Sequence, residues 1–109
     1  MKRARPVLHQ AMPELAGELE ALLRKNGEAE LASQVAGLRI IDRCRCGDYF
    51  CATIYTSPKP KEAWGTGHET IALDPEEGYL NVDLLNGDIV EVEVLFRARI
   101  REQLLKLLP

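Results

Sequence analysis

Three cysteines fall within eight residues, in Cys44-Arg45-Cys46-Gly47-Asp48-Tyr49-Phe50-Cys51, and thiols gathered this tightly have the plainest access to chemistry in the chain. Side chains along a strand alternate with a period of two, so Cys44 and Cys46 project from one face and can share a ligand. Cys51 follows across a turn that Gly47-Asp48 predicts. Such a cluster could hold a metal ion, form a redox pair or pack as small apolar side chains. Zinc is the ion it would take, although zinc prefers four ligands and knuckle spacings of two to four residues. The fourth ligand offered by the sequence is His68, because His9 precedes the first helix. The expected metal set is therefore Cys44, Cys46, Cys51 and His68. A redox role has less support: no Cys-x-x-Cys stands at a helix start, and Arg43 and Arg45, read as strand residues, point away from the thiols. Simple packing of the three thiols outweighs both.

Two further groups carry reactive side chains. Trp64-Gly65-Thr66-Gly67-His68 combines an indole and an imidazole on a flexible segment, and Trp64 and His68 are candidates for a ligand or interaction loop. It matches no phosphate-binding fingerprint, and Trp64 folding back onto the core is the plainer reading. Asp83, Glu91 and Glu93 could cluster for acid–base work, though alternation alone places polar groups on a solvated face. Two histidines far apart fix no catalytic triad. No catalytic residue is expected, and the sequence leans away from an enzyme.

These side chains must be positioned by elements that the hydrophobic pattern predicts. Leu8, Met12, Leu15, Leu19 and Leu22 recur at helical spacing to about Lys25, with Pro13 suited to a first helical turn. Asn26-Gly27 stops that helix, and Glu28 to Ala36 forms a second one ending at Gly37. Leu38–Cys44 and Phe50–Thr56 read as a β-hairpin. Ser57 to Gly67, with two prolines and two glycines, reads as a surface loop, and Thr70–Leu73 as a short strand. In Tyr79 to Phe96, Leu80, Val82 and Leu84 alternate with polar residues, as do Val90, Val92 and Val94. A three-residue loop, Leu85-Asn86-Gly87, with Val82 opposite Val90, would bring both apolar sets to one face. Ile100, Leu104 and Leu107 or Leu108 stripe a closing helix. The expected fold is α+β over residues 1–109 as one domain: two N-terminal helices, a mainly antiparallel five-stranded meander, and a C-terminal helix.

With 109 residues, 46% of them hydrophobic, and a formal net charge of −3, the chain has material for one core and no basic excess that would recommend a nucleic-acid partner. No charge-free stretch has bilayer length and no secretory signal opens the chain, so neither membrane nor export is expected. An odd number of cysteines fits a reducing, cytoplasmic location. Cys44-Arg45-Cys46-Gly47-Asp48 running on to Cys51-Ala52-Thr53, with Val82-Asp83 and Asn86-Gly87 through Glu93-Val94-Leu95, resembles small uncharacterised bacterial proteins that carry a cysteine-rich hairpin and a similar C-terminal hairpin. The resemblance implies a bacterial cytosolic origin and supports the fold; it implies no activity or ligand. The sequence thus favours a small non-enzymatic binding or protein-interaction domain, one that associates with a protein partner or a second copy of itself. The alternative is a metal-binding or thiol-reactive protein built on Cys44, Cys46 and Cys51.

Overall fold

Pro13 has no amide hydrogen to contribute to a helix interior, and the first helical stretch divides there into α1 (Leu8–Ala11) and α2 (Pro13–Lys25), with Pro13 in the first turn of α2. The structure is a computed structural model and describes residues 5–109. Leu8, Met12, Leu15, Ala16, Leu19 and Leu23 form the buried stripe. Leu23 completes the spacing of four begun at Leu15 and Leu19, so Leu22, the expected member, is only partly buried. Gly27, at φ 79°, turns the chain into α3 (Ala29–Gln34), which continues as a single 3-10 turn over Val35–Gly37.

The expected first hairpin is much shorter than its sequence suggests, with β1 at Asp42–Arg43 and β2 at Ile54–Tyr55. Ile41 N–H still donates to Tyr55 O of β2 at 2.8 Å, but Leu38 and Ile40 pair elsewhere: Leu8 N–H donates to Leu38 O at 2.9 Å and Ile40 N–H to Pro6 O at 2.8 Å. Three longer strands follow, β3 (His68–Ala72), β4 (Tyr79–Leu85) and β5 (Asp88–Leu95), and then α4 (Ala98–Leu107). Ile100 and Leu104 of α4 are buried, as its stripe requires.

The sheet is antiparallel throughout with the order β1-β2-β5-β4-β3, which corrects the expected meander. β2 pairs with β5, and the chain after Tyr55 travels to the opposite edge to form β3. Burial explains the order. Ile54, Val82, Val92 and Val94 are fully buried and need neighbours on both sides, whereas His68, Glu69, Thr70 and Ala72 of β3 are exposed and suit an edge. The core joins residues of all four helices to one face of the sheet.

The β4–β5 turn corrects a second expectation. Asn86 and Gly87 both have positive φ, 52° and 88°, the two-residue turn that suits the twist of a hairpin. Leu84 accordingly faces Ile89, and the register then shifts between Asp83 and Leu84 so that Val82 faces Val92 rather than Val90. Val90 is the extra residue of a β-bulge. The bulge performs the phase correction that a longer loop was expected to supply.

Candidate thiol site and basic cleft

Direct partners across an antiparallel sheet share a face, and one row of partners crosses all five strands: Asp42, Tyr55, Glu91, Asp83 and Thr70. The neighbouring row, Arg43, Ile54, Val92, Val82 and Ile71, contains the buried valines and faces the helices. The polar row therefore lies on the outer face, and the thiols sit at its β1 end. After Arg43 the chain leaves the sheet and reverses through Gly47, at φ 84°, a left-handed conformation that glycine adopts without strain. Cys51 N–H donates to Asp48 O at 3.1 Å, and Cys44 N–H donates to Thr53 O at 2.9 Å. Cys51 forms a bridge with Leu95 of β5, and alternation from Cys51 to Tyr55 brings both to the outer side.

The sulfurs of Cys44, Cys46 and Cys51 lie within 4.8 Å of one another, and all three are free thiols. Three cysteines so close together could hold a metal ion. Zinc–sulfur bonds of about 2.3 Å place tetrahedral sulfurs roughly 3.8 Å apart, so closing on an ion requires contraction by at most about 1 Å.

The thiols are electrostatically unequal. Burial raises the Cys44 pKa, but hydrogen bonds from the Cys46 amide, the Tyr55 hydroxyl and the Cys46 and Cys51 thiols outweigh it, and the net shift is downward. For Cys46 a backbone hydrogen bond at Asp48 acts to lower the pKa, yet desolvation, the bonds with Cys44 and Cys51, and the charge of Cys44 together push it up to about 11. Tyr55 moves upward, first through burial and then through its bond to Cys44. Cys44 thus ionises before Cys46 and Tyr55, which keep their protons and donate to it.

Cys44, Cys46 and Tyr55 open onto a cleft of about 760 Å³ whose walls also carry Arg5, Arg43, Arg45, Lys59 and Asp42. Arg43 and Arg45 reach the same cleft as the cysteines because β1 ends at Arg43; strand alternation, which would separate them, stops there. Arg43 Nε donates to Leu108 O at 2.6 Å and its Nη1 to Cys44 O at 3.3 Å. Arg45 pairs with Asp42 at 3.1 Å, and the Lys59 ammonium lies 5.2 Å from the centroid of the Tyr55 ring.

His68 does not join the cysteines. It belongs to β3, at the other edge of the sheet, and four strand spacings separate the edges by about 19 Å. Its Nε2 lies 2.8 Å from Asp83 Oδ1, which also accepts a 2.6 Å bond from Thr70 Oγ1. Among the described residues the metal-ligand group contains the three cysteines alone. Trp64 is half-buried over the outer face, where its indole N–H donates to Glu91 Oε1 at 3.1 Å. The loop between β2 and β3 thus crosses above the carboxylates.

Each carboxylate has a local partner, including Glu93, which accepts from Asn81 Nδ2 at 3.0 Å. Burial, followed by the charges of Asp83 and Glu93, raises the Glu91 pKa against the opposing effects of Trp64 and Lys59. Sequence reasoning missed Tyr55, Lys59 and Arg5 at the thiol site. The spacing of four between Cys51 and Tyr55, an even number on an extended segment, was the available signal for the first. No helix is long and apolar enough to cross a membrane among the described residues. Comparisons with protein-family models, curated proteins and solved structures found no match, so the geometry alone supports a functional reading.

Proposed function

We propose that this protein binds a thiophilic metal ion through Cys44, Cys46 and Cys51, with zinc the expected ion. The observation that carries the reading is the approach of all three sulfurs within 4.8 Å. Thiolate ligands favour zinc and other soft ions. Three protein ligands leave a fourth tetrahedral position for water or a small molecule, as in catalytic rather than purely structural zinc sites. A cytosolic location, where thiols stay reduced, belongs to the same proposal. The test is titration of reduced, metal-free protein with zinc against a chromophoric chelator, followed by cadmium to read thiolate absorbance. One ion per chain is expected, with binding weakened in each of Cys44→Ser, Cys46→Ser and Cys51→Ser. No uptake by protein whose three thiols titrate as free would refute the reading.

An interaction domain has a separate observation in its favour. Tyr49, Tyr79 and Phe96 are 79%, 57% and 51% exposed, and their rings form a row with Phe50: Tyr49 meets Phe50 edge-on, Phe50 stacks on Phe96 at 5.0 Å, and Tyr79 tilts against Phe96 at 5.8 Å. Exposed aromatics grouped in this way are characteristic of protein contacts. In this second reading the partner is another copy of the chain. Sedimentation should show concentration-dependent dimers that Tyr49→Ser weakens; a monomer at every concentration excludes it.

A further inference from the structure

We infer that the cleft beside the thiols recognises a small anionic molecule bearing carboxylate or phosphate groups and presents it to Cys44. The inference goes beyond metal binding and holds whether or not an ion occupies the sulfurs. The chain carries a net charge of −3, yet the walls of this cleft gather Arg5, Arg43, Arg45 and Lys59 with Asp42 as their one carboxylate, while Glu91 lies near enough to Lys59 to interact with its charge and Pro109 O accepts from Arg45 Nη1 at 3.2 Å. The Asp42 carboxylate is already paired with Arg45 at 3.1 Å. The remaining cations come from three separate segments, so their convergence is a product of folding rather than of a basic run in the sequence.

Arg43 is the most prearranged of them. Two backbone carbonyls, Leu108 O at 2.6 Å and Cys44 O at 3.3 Å, hold its Nε and Nη1. They orient the guanidinium without neutralising it, and among the described residues no hydrogen bond engages Nη2. A planar guanidinium in this state is suited to carboxylate or phosphate oxygens. Lys59, seated over the Tyr55 ring, contributes a point charge on the other wall. A volume of about 760 Å³ lies within the usual range for small-molecule sites, roughly 300–1,000 Å³. Concavity and the small number of cations favour a compact ligand over a nucleic-acid backbone, which would require an extended basic surface.

The test uses reduced, metal-free, full-length protein and compares two alkylating reagents of similar size, anionic iodoacetate and neutral iodoacetamide. Modification of Cys44 is followed by peptide mass spectrometry. The iodoacetate-to-iodoacetamide rate ratio at Cys44 should exceed that of the same chain in urea about fivefold, consistent with several unit charges acting through a largely aqueous medium. Added salt should reduce this advantage. Lys59→Gln and Arg43→Gln should each lower the ratio, with Lys25→Gln on α2 leaving it unchanged, and inorganic pyrophosphate should slow both reagents. A ratio equal to that in urea, or one indifferent to salt and to both cleft substitutions, overturns the inference. Protection by polynucleotide without protection by pyrophosphate overturns it in favour of a nucleic-acid surface. Because the assay contains no metal, a failed zinc titration does not decide it.

Discussion

Replacing Tyr55 by Phe removes one hydroxyl from the thiol site and little else. Tyr55 is 6% exposed, and phenylalanine retains the ring that packs there and the face that Lys59 overlies. What disappears is the hydrogen bond by which the hydroxyl favours ionised Cys44. Bonds to charged groups contribute about 1.5–3 kcal/mol; the half-buried position of Cys44 and its three other donors argue for the lower end. Since about 1.4 kcal/mol corresponds to a factor of ten, Cys44 should be some tenfold less ionised in the variant at neutral pH.

The assay is the rate of Cys44 alkylation by neutral iodoacetamide across roughly pH 5 to 10, resolved by peptide. The wild-type advantage should be largest at neutral and lower pH and should vanish at alkaline pH, where both proteins are fully ionised. Stability runs in the opposite sense. A thiol whose folded pKa is lowered adds stability above its unfolded pKa and loses it as pH falls through the folded value, so the variant's stability deficit should grow toward alkaline pH. Equal rates at neutral pH, or a rate difference that persists on the alkaline plateau, would refute the assigned role of Tyr55.

Glu91→Gln should stabilise the protein at neutral pH by about 0.2–1 kcal/mol, the range for like charges directly opposed across a sheet, because Glu91 faces Asp83. A raised carboxyl pKa favours folding below the unfolded value, an advantage lost as pH rises through the folded one; the gain should therefore disappear in acid, as thermal melts at several pH values can show. Gly78→Ala should destabilise by about 1–3 kcal/mol, since Gly78 has φ 68° and a Cβ there would meet the backbone oxygens of Leu95 and Phe96; urea unfolding measures it. Gln34→Ala should cost about 1 kcal/mol, because its amide donates to Gly87 O at 2.8 Å and accepts from Ile89 N–H at 2.9 Å, and amide exchange at Ile89 should accelerate.

Local pattern was enough to identify the α+β class, the break at Pro13, the alternation of β4 and β5, and the apolar stripe of α4, because each depends on neighbours a few residues away. It was also enough to single out Cys44, Cys46 and Cys51, since a turn at Gly47 returns the chain over so few residues, although the bridge of Cys51 to Leu95 fixes the returning arm. Strand order, the bulge at Val90, the pairing of His68 with Asp83 and the assembly of a cationic cleft from Arg5, Arg43, Arg45 and Lys59 were decided by tertiary structure. Those features depend on which distant segments compete for the flanks of β5 and where β1 stops. That competition is governed by the burial of Ile54, Val82 and Val92 together, a property of the packed core that no single stretch of residues contains.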